Sequence, residues 1–155
     1  MTPELKSVLD LVFNQHPILM AGPVHPSEVP SLERYAGFQL PQDYKTFVVE
    51  YGGAIVGPYP IYGLRRAEPM GMKDESARAV TERYKAQMAP GIEKWLIISM
   101  DLSGSPIGIV PSGEIWISDV EWGIVERMSP TFSSFLWDIC LKNWRSNVTL
   151  PRKVL

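Results

Sequence analysis

Leu40-Pro41-Gln42-Asp43-Tyr44-Lys45-Thr46-Phe47-Val48-Val49-Glu50-Tyr51-Gly52-Gly53 is the stretch on which the fold turns. Leu40-Pro41-Gln42-Asp43 reads as a helix start, and Tyr44, Phe47, Val48 and Tyr51 recur at the spacing of one helical face. The glycine pair ends the helix, because Gly52 tolerates the left-handed conformation of a helix cap. Just upstream, Ser27 to Gly37 reads as another helix with Val29, Leu32 and Tyr35 or Ala36 turned inward. Pro30 is tolerable there because it falls in the first turn. The two helices read as a short hairpin.

Working outward, Thr2-Pro3-Glu4 supplies a capping hydroxyl, a proline at the first helical position and an acid in the first turn. Leu5, Val8, Leu9 and Val12 then form an inward stripe. Asn14 to Pro26 holds three prolines and a glycine, the composition of a loop. Beyond the glycine pair, Ala54-Val56 and Pro60-Leu64 read as brief strands. Asp74 to Ala86 reads as a charged helix, exposed on most of its surface, with Ala77, Val80 and Tyr84 inward.

Four β-rich runs follow, Trp95 to Met100, Ile107 to Val110, Glu114 to Ser118 and Ile124 to Met128, with turns at Pro111-Ser112-Gly113 and Glu121-Trp122-Gly123. This is the pattern of an antiparallel meander. Alternation in the third run puts Ile115 and Ile117 on one face, and Glu114, Trp116 and Ser118 on the other. Ser129-Pro130 opens a last helix with Phe132, Phe135, Leu136 and Ile139 at core spacing, fraying after Trp144. The fold class expected is α+β: a mostly antiparallel sheet with N-terminal helices, one middle helix and a C-terminal helix packed around it. Residues 1–144 form one domain in this reading, and 145–155 a tail.

With 45% hydrophobic and 21% charged residues, a chain of 155 residues should fold as one globule rather than stay disordered. Glu4 and Asp10 interrupt the N-terminal apolar stretch, and no run approaches the ~18 apolar residues of a membrane span. A cytoplasmic location is therefore expected. The single cysteine, Cys140, fits a reducing compartment. A net charge of −2 gives no general attraction to nucleic acid. The charge is unevenly placed, however. From Trp95 to Glu126 there are acids at Asp101, Glu114, Asp119, Glu121 and Glu126 and no lysine or arginine, whereas Arg145, Arg152 and Lys153 close the chain without an acid.

Ser31-Leu32-Glu33-Arg34-Tyr35-Ala36-Gly37, followed by residues 40–53, resembles the opening motif of the SUKH superfamily (the Smi/Knr family). That motif is a helix ending in glycine, then Leu-Pro, an acid-aromatic pair, a Phe-containing helix and a glycine pair. Trp95 to Asp101, Gly108 to Val110, Gly113 to Trp116 and Phe132 to Leu136 resemble the family's three strands and closing helix, so the likeness spans about residues 5–142. Tyr51 stands where the family usually carries asparagine, which leaves the capping role to Gly52. The resemblance implies a helix-decorated antiparallel sheet without a shared catalytic site. It also implies a usual bacterial role as the immunity partner of a secreted or contact-delivered toxin. Fungal members act in cell-wall signalling, so a non-immunity interaction or regulatory module is the alternative.

Catalytic chemistry finds little to build on. His16 and His25 sit beside prolines as turn residues, and with Cys140, read as inert packing, they make a poor metal set. No nucleophile elbow or glycine-rich phosphate loop occurs. Asp119 and Glu121 are the best enzyme-like pair, and a small hydrolase using them is a third reading. No catalytic residue, cofactor or metal is expected.

The acid-only segment points instead to binding, because carboxylates beside aromatic anchors give a protein interface both steering and desolvated contacts. The expected toxin-binding face comprises Asp101, Glu114, Trp116, Asp119, Glu121 and Trp122. Tyr59, Tyr62, Arg65 and Arg66 are further surface candidates from the glycine- and proline-rich region. The competing structural account is that strands need polar residues toward solvent and that Trp116 or Trp122 covers a second core. The partner expected is a cognate protein toxin, for which a basic nuclease-type domain is a fit, inhibited stoichiometrically. Neither nucleic acid nor membrane binding is expected, and no oligomeric state follows.

Overall fold

A computed structural model describes residues 1–71 and 73–143. Helix α1 spans Pro3–Gln15, α2 Val29–Ala36 and α3 Gln42–Tyr51; strands β1 (Ala54–Val56) and β2 (Tyr59–Ile61) make a hairpin; and α4 spans Ala77–Ala86. Strands β3 (Leu96–Met100), β4 (Pro106–Ile109), β5 (Ile115–Ser118) and β6 (Val125–Ser129) form an antiparallel sheet in the order β3-β4-β5-β6. The last helix starts as α5 (Phe132–Ser134) and continues in π geometry over Phe135–Cys140. The architecture is the expected α+β one.

The aromatic stripe read from the sequence is the centre of the core. Phe13 of α1 meets Tyr51 at 4.9 Å between ring centroids, Tyr51 meets Phe47 at 5.1 Å, and Phe47 meets Phe132 at 5.4 Å. Tyr44 packs edge-on against Phe132 at 5.2 Å, and its hydroxyl donates to the Tyr62 carbonyl at 2.8 Å. One row of rings thus joins α1, α3 and α5, with the polar tip of Tyr44 satisfied as a buried tyrosine requires.

Gly52-Gly53 does more than cap α3. The Gly52 carbonyl accepts N–H bonds from Leu64 (2.8 Å) and Arg65 (3.1 Å), while Ala21 N–H donates to the Gly53 carbonyl at 2.8 Å. Three chain segments cross here, and a β-carbon on Gly53 would overlap the Arg65 carbonyl oxygen. Tyr51 finds its own role: its hydroxyl donates to Asp10 at 2.7 Å and ties α3 to α1.

The β1-β2 hairpin joins the larger sheet through Tyr62 N–H, which donates to the Ile98 carbonyl at 2.8 Å on β3. Helix α4 covers the same edge. Thr81, fully buried, donates its hydroxyl to the Ala77 carbonyl and accepts Ile97 N–H at 2.8 Å, so a side chain satisfies a strand donor. The middle helix is accordingly more embedded than its charge pattern predicts.

Several boundaries differ from expectation, each for a local reason. The second helix begins at Val29 because Pro26–Glu28 forms a 3-10 turn, with His25 Nδ1 accepting Ser27 N–H. The middle helix begins at Ala77 because Ser76 caps it, accepting Ala79 N–H at 3.1 Å. In the last helix Leu141 N–H reaches back five residues to the Leu136 carbonyl at 2.9 Å. This wider turn brings Cys140, instead of Ile139, into the core beside Phe132, Phe135 and Leu136. Trp144 and the tail at 145–155 lie outside the described residues.

Candidate protein-binding surface

Two hairpin loops lie at one end of the four-stranded sheet, residues 101–105 between β3 and β4 and residues 119–124 between β5 and β6. Each is folded around an aspartate. Asp101 Oδ1 accepts the N–H groups of Ser103 (3.0 Å) and Ser105 (2.8 Å), and Asp119 Oδ1 accepts those of Glu121 (2.9 Å) and Trp122 (3.1 Å). These are the local turns that a short carboxylate side chain stabilises.

Both turns hold a large apolar side chain out in solvent. Leu102 is 86% exposed and Trp122 76%, with Ile124 at 53% and Val120 at 46% beside them. Of the six large hydrophobic residues exposed to this degree among the described residues, these are four, and a fifth, Met88, lies on the loop after α4. Such residues are ordinarily scattered singly over a surface. Here hydrogen bonds hold the three loops side by side. Val120 N–H donates to Ser105 Oγ at 3.2 Å, the Ser118 hydroxyl donates to the Pro90 carbonyl at 2.6 Å, and the Tyr84 hydroxyl donates to the Gly104 carbonyl at 2.7 Å.

The residues expected to form one face are divided by the fold. Asp101, Asp119, Glu121 and Trp122 meet at the loop end, but Glu114, just before β5, and Trp116, in its first half, lie toward the opposite end of the sheet. Glu114 pairs with Arg127 at 3.2 Å and accepts bonds from Ser112 and the Trp116 indole. Those hydrogen bonds, that of Arg127 foremost, hold its carboxyl below the ordinary 4.5. Glu114 is therefore a neutralised partner within the sheet. Trp116 is half-buried, aligned with Gly108 on β4 and Arg127 on β6.

Tyr62 corrects the expectation most directly. It is 1% exposed, enclosed beside β3, and has no surface to offer a partner. Tyr59 is half-buried, with its ring 5.9 Å from Phe135. Ser118, expected on the outer face with Trp116, is buried because its hydroxyl holds Pro90. Of the basic candidates, Arg65 is paired with Glu28 at 2.7 Å, and Arg66 lines an open groove of about 900 Å³ with Ile18. Cys140 is buried, and burial pushes its thiol pKa up, away from the reactive thiolate.

Leu102, Val120, Ile124 and Met88 were not singled out by charge. Their signal is an apolar residue placed next to turn-forming residues, as in Asp101-Leu102-Ser103-Gly104 and Asp119-Val120-Glu121-Trp122-Gly123. A loop residue in such a place has no neighbouring strand to bury it.

No curated protein matches the chain. A family model does, over residues 23–138, from the end of the loop after α1 into the last helix. This range contains the Leu-Pro start of α3, the glycine crossing and both aspartate-built loops. On that match, and on the α+β architecture that agrees with it, the chain belongs to the SMI1 / KNR4 family (SUKH-1).

Proposed function

We propose that this chain is a cytoplasmic immunity protein that neutralises a cognate protein toxin by binding it stoichiometrically, with the loop end of the sheet as the contact surface. The observation that carries the reading is the exposed Trp122, 76% accessible on a turn held by Asp119 and bordered by Leu102, Val120 and Ile124. A tryptophan kept in water on a hydrogen-bonded loop gives up little conformational freedom on binding and offers a large area to desolvate, the properties of an interface anchor. Membership of a family whose bacterial members usually serve in immunity supports the choice of partner. Nothing in the mechanism requires bond chemistry: occupancy of the toxin, over its active site or beside it, is sufficient.

The test is to identify a gene beside this one that ends in a toxin domain and to co-express that domain with the protein. Wild-type protein should restore growth and co-purify with the domain, and a Trp122→Ala, Leu102→Ala variant that stays folded should do neither. Failure of the wild type in both assays would sink the toxin-neutralisation reading. A gene set among signalling or cell-wall functions, with a partner from that set binding the same surface, would favour the regulatory alternative.

A further inference from the structure

We infer that the face seated on this loop end is an apolar depression rimmed by lysines and arginines, an inference that rests on the protein-binding reading above and specifies the partner's chemistry. Three observations carry it: the clustering of exposed hydrophobics, the isolation of the acids among them, and the bonds that fix both.

Among the described residues, the acids of the two hairpins have no ion-pair partner. Asp101, Asp119, Glu121 and Glu126 lie on the two hairpins, and no lysine or arginine occurs between Trp95 and Glu126. The ion pairs of the described residues all lie elsewhere, between Lys6 and Asp10 or Glu50, Lys45 and Glu33, Arg65 and Glu28, Arg83 and Glu75, and Arg127 and Glu114. Arg127, the nearest base in sequence, is thus turned to the other half of the sheet. Lys85 and Lys94 flank only the Met88 loop, and Lys85 Nζ sits 5.8 Å over the Tyr35 ring of α2. Carboxylates left unpaired around exposed Leu102 and Trp122 attract an approaching cation and repel a phosphate.

That sign selects the occupant. Nucleic acid and an anionic membrane surface would meet like charge, and so would a second copy of this chain bringing the same end face to face. A protein surface with an apolar hollow satisfies the hydrophobic tips, and basic residues around the hollow satisfy the acids. The two contributions separate kinetically, because peripheral charge sets the encounter rate and desolvated anchors set the lifetime. The bonds from Asp101 and Asp119 to the turn amides make these two acids poor subjects for charge reversal, since their loss would also release the loops. Glu121 and Glu126 accept no bond of that kind and are the proper probes.

Two measurements test this. In the first, the isotope-labelled protein is titrated with a seven-residue peptide of alternating lysine and leucine, and with the same peptide carrying glutamate for lysine. The Trp122 indole N–H and Leu102 methyl resonances should move with the basic peptide at about tenfold or more higher affinity, the effect falling with salt and in Glu121→Lys, Glu126→Lys protein. Equal response to both peptides, or shifts confined to other surfaces, overturns the inference. In the second, association with the toxin domain used in the co-expression test is followed from low to high salt. The on-rate should drop about tenfold with salt and in the charge-reversed variant, and Trp122→Ala should speed dissociation about 30-fold. Uptake of the basic peptide without toxin binding would sink toxin neutralisation and leave this inference standing. Tight toxin binding with a salt-independent on-rate would do the reverse.

Discussion

The Asp43 carboxylate at the start of α3 accepts both the amide N–H and the hydroxyl of Ser133, each at 2.8 Å, across 90 residues of chain. An acid in the first turn of one helix therefore caps another. Beside it, Tyr44 packs on Phe132, so the acid-aromatic pair of the α3 motif fastens the last helix onto the N-terminal half.

Replacing Asp43 by alanine leaves Ser133 N–H without its acceptor and should cost about 1–2 kcal/mol. Urea unfolding measures the loss. A double-mutant cycle with Ser133→Ala should show the two changes to be non-additive, because each removes the same contact.

Gly53→Ala and Gly123→Ala separate close packing from backbone conformation. A methyl at Gly53 meets the Arg65 carbonyl and should destabilise by about 3 kcal/mol. At Gly123 nothing lies within 4 Å, and only the left-handed φ of 68° opposes a side chain, at a cost of about 1–2 kcal/mol. Thermal unfolding should rank them in that order, and equal losses would refute the crossing-point account of Gly53.

Asp119→Asn keeps an acceptor oxygen for the turn amides and removes the charge, whereas Asp119→Ala removes both. Hydrogen exchange at Glu121 and Trp122 should quicken in the alanine variant and stay close to wild type in the asparagine variant. Partner affinity should follow the same order, because Asp119 acts mainly by presenting Trp122. A large affinity loss in both variants with an intact turn would assign Asp119 a direct charge contact instead.

The buried Cys140 thiol, its pKa pushed up by desolvation, should not react with a thiol reagent in the folded protein, even at about pH 8 where free thiols react. As the chain has one cysteine, labelling should follow unfolding. Fast labelling under native conditions would contradict the packing of the last helix.

Glu114 predicts a small acid-side dependence. Its carboxyl titrates below 4.5 in the folded state, so the unfolded chain binds the proton first as pH falls. The stabilisation is present above the unfolded value and is lost as pH drops through the folded one. Melting temperature followed through this range should fall less steeply for Glu114→Gln than for wild type.

Much of the fold was legible because it rests on local periodicity. The stripe Tyr44, Phe47, Val48, Tyr51 and the meander of strands are repeats of one element's own geometry, readable wherever apolar residues recur at 3.6 or 2. The wider π turn at Cys140 was not legible, since Ile139 and Cys140 are both acceptable to a core. Nor was the burial of Thr81 legible, because the N–H that its hydroxyl accepts comes from Ile97 on another element.

The candidate surface divides in the same way. Sequence alone determined the family, the antiparallel sheet, and an acidic segment bearing tryptophans. Only the tertiary structure decided that Tyr62 and Ser118 are inside, that Glu114 is neutralised by Arg127, and that Asp101 and Asp119 build turns which set Leu102 and Trp122 in water. The physical reason is that charge and hydrophobicity belong to a residue, whereas exposure and pairing belong to what stands across from it. In this chain those partners come from other strands and loops.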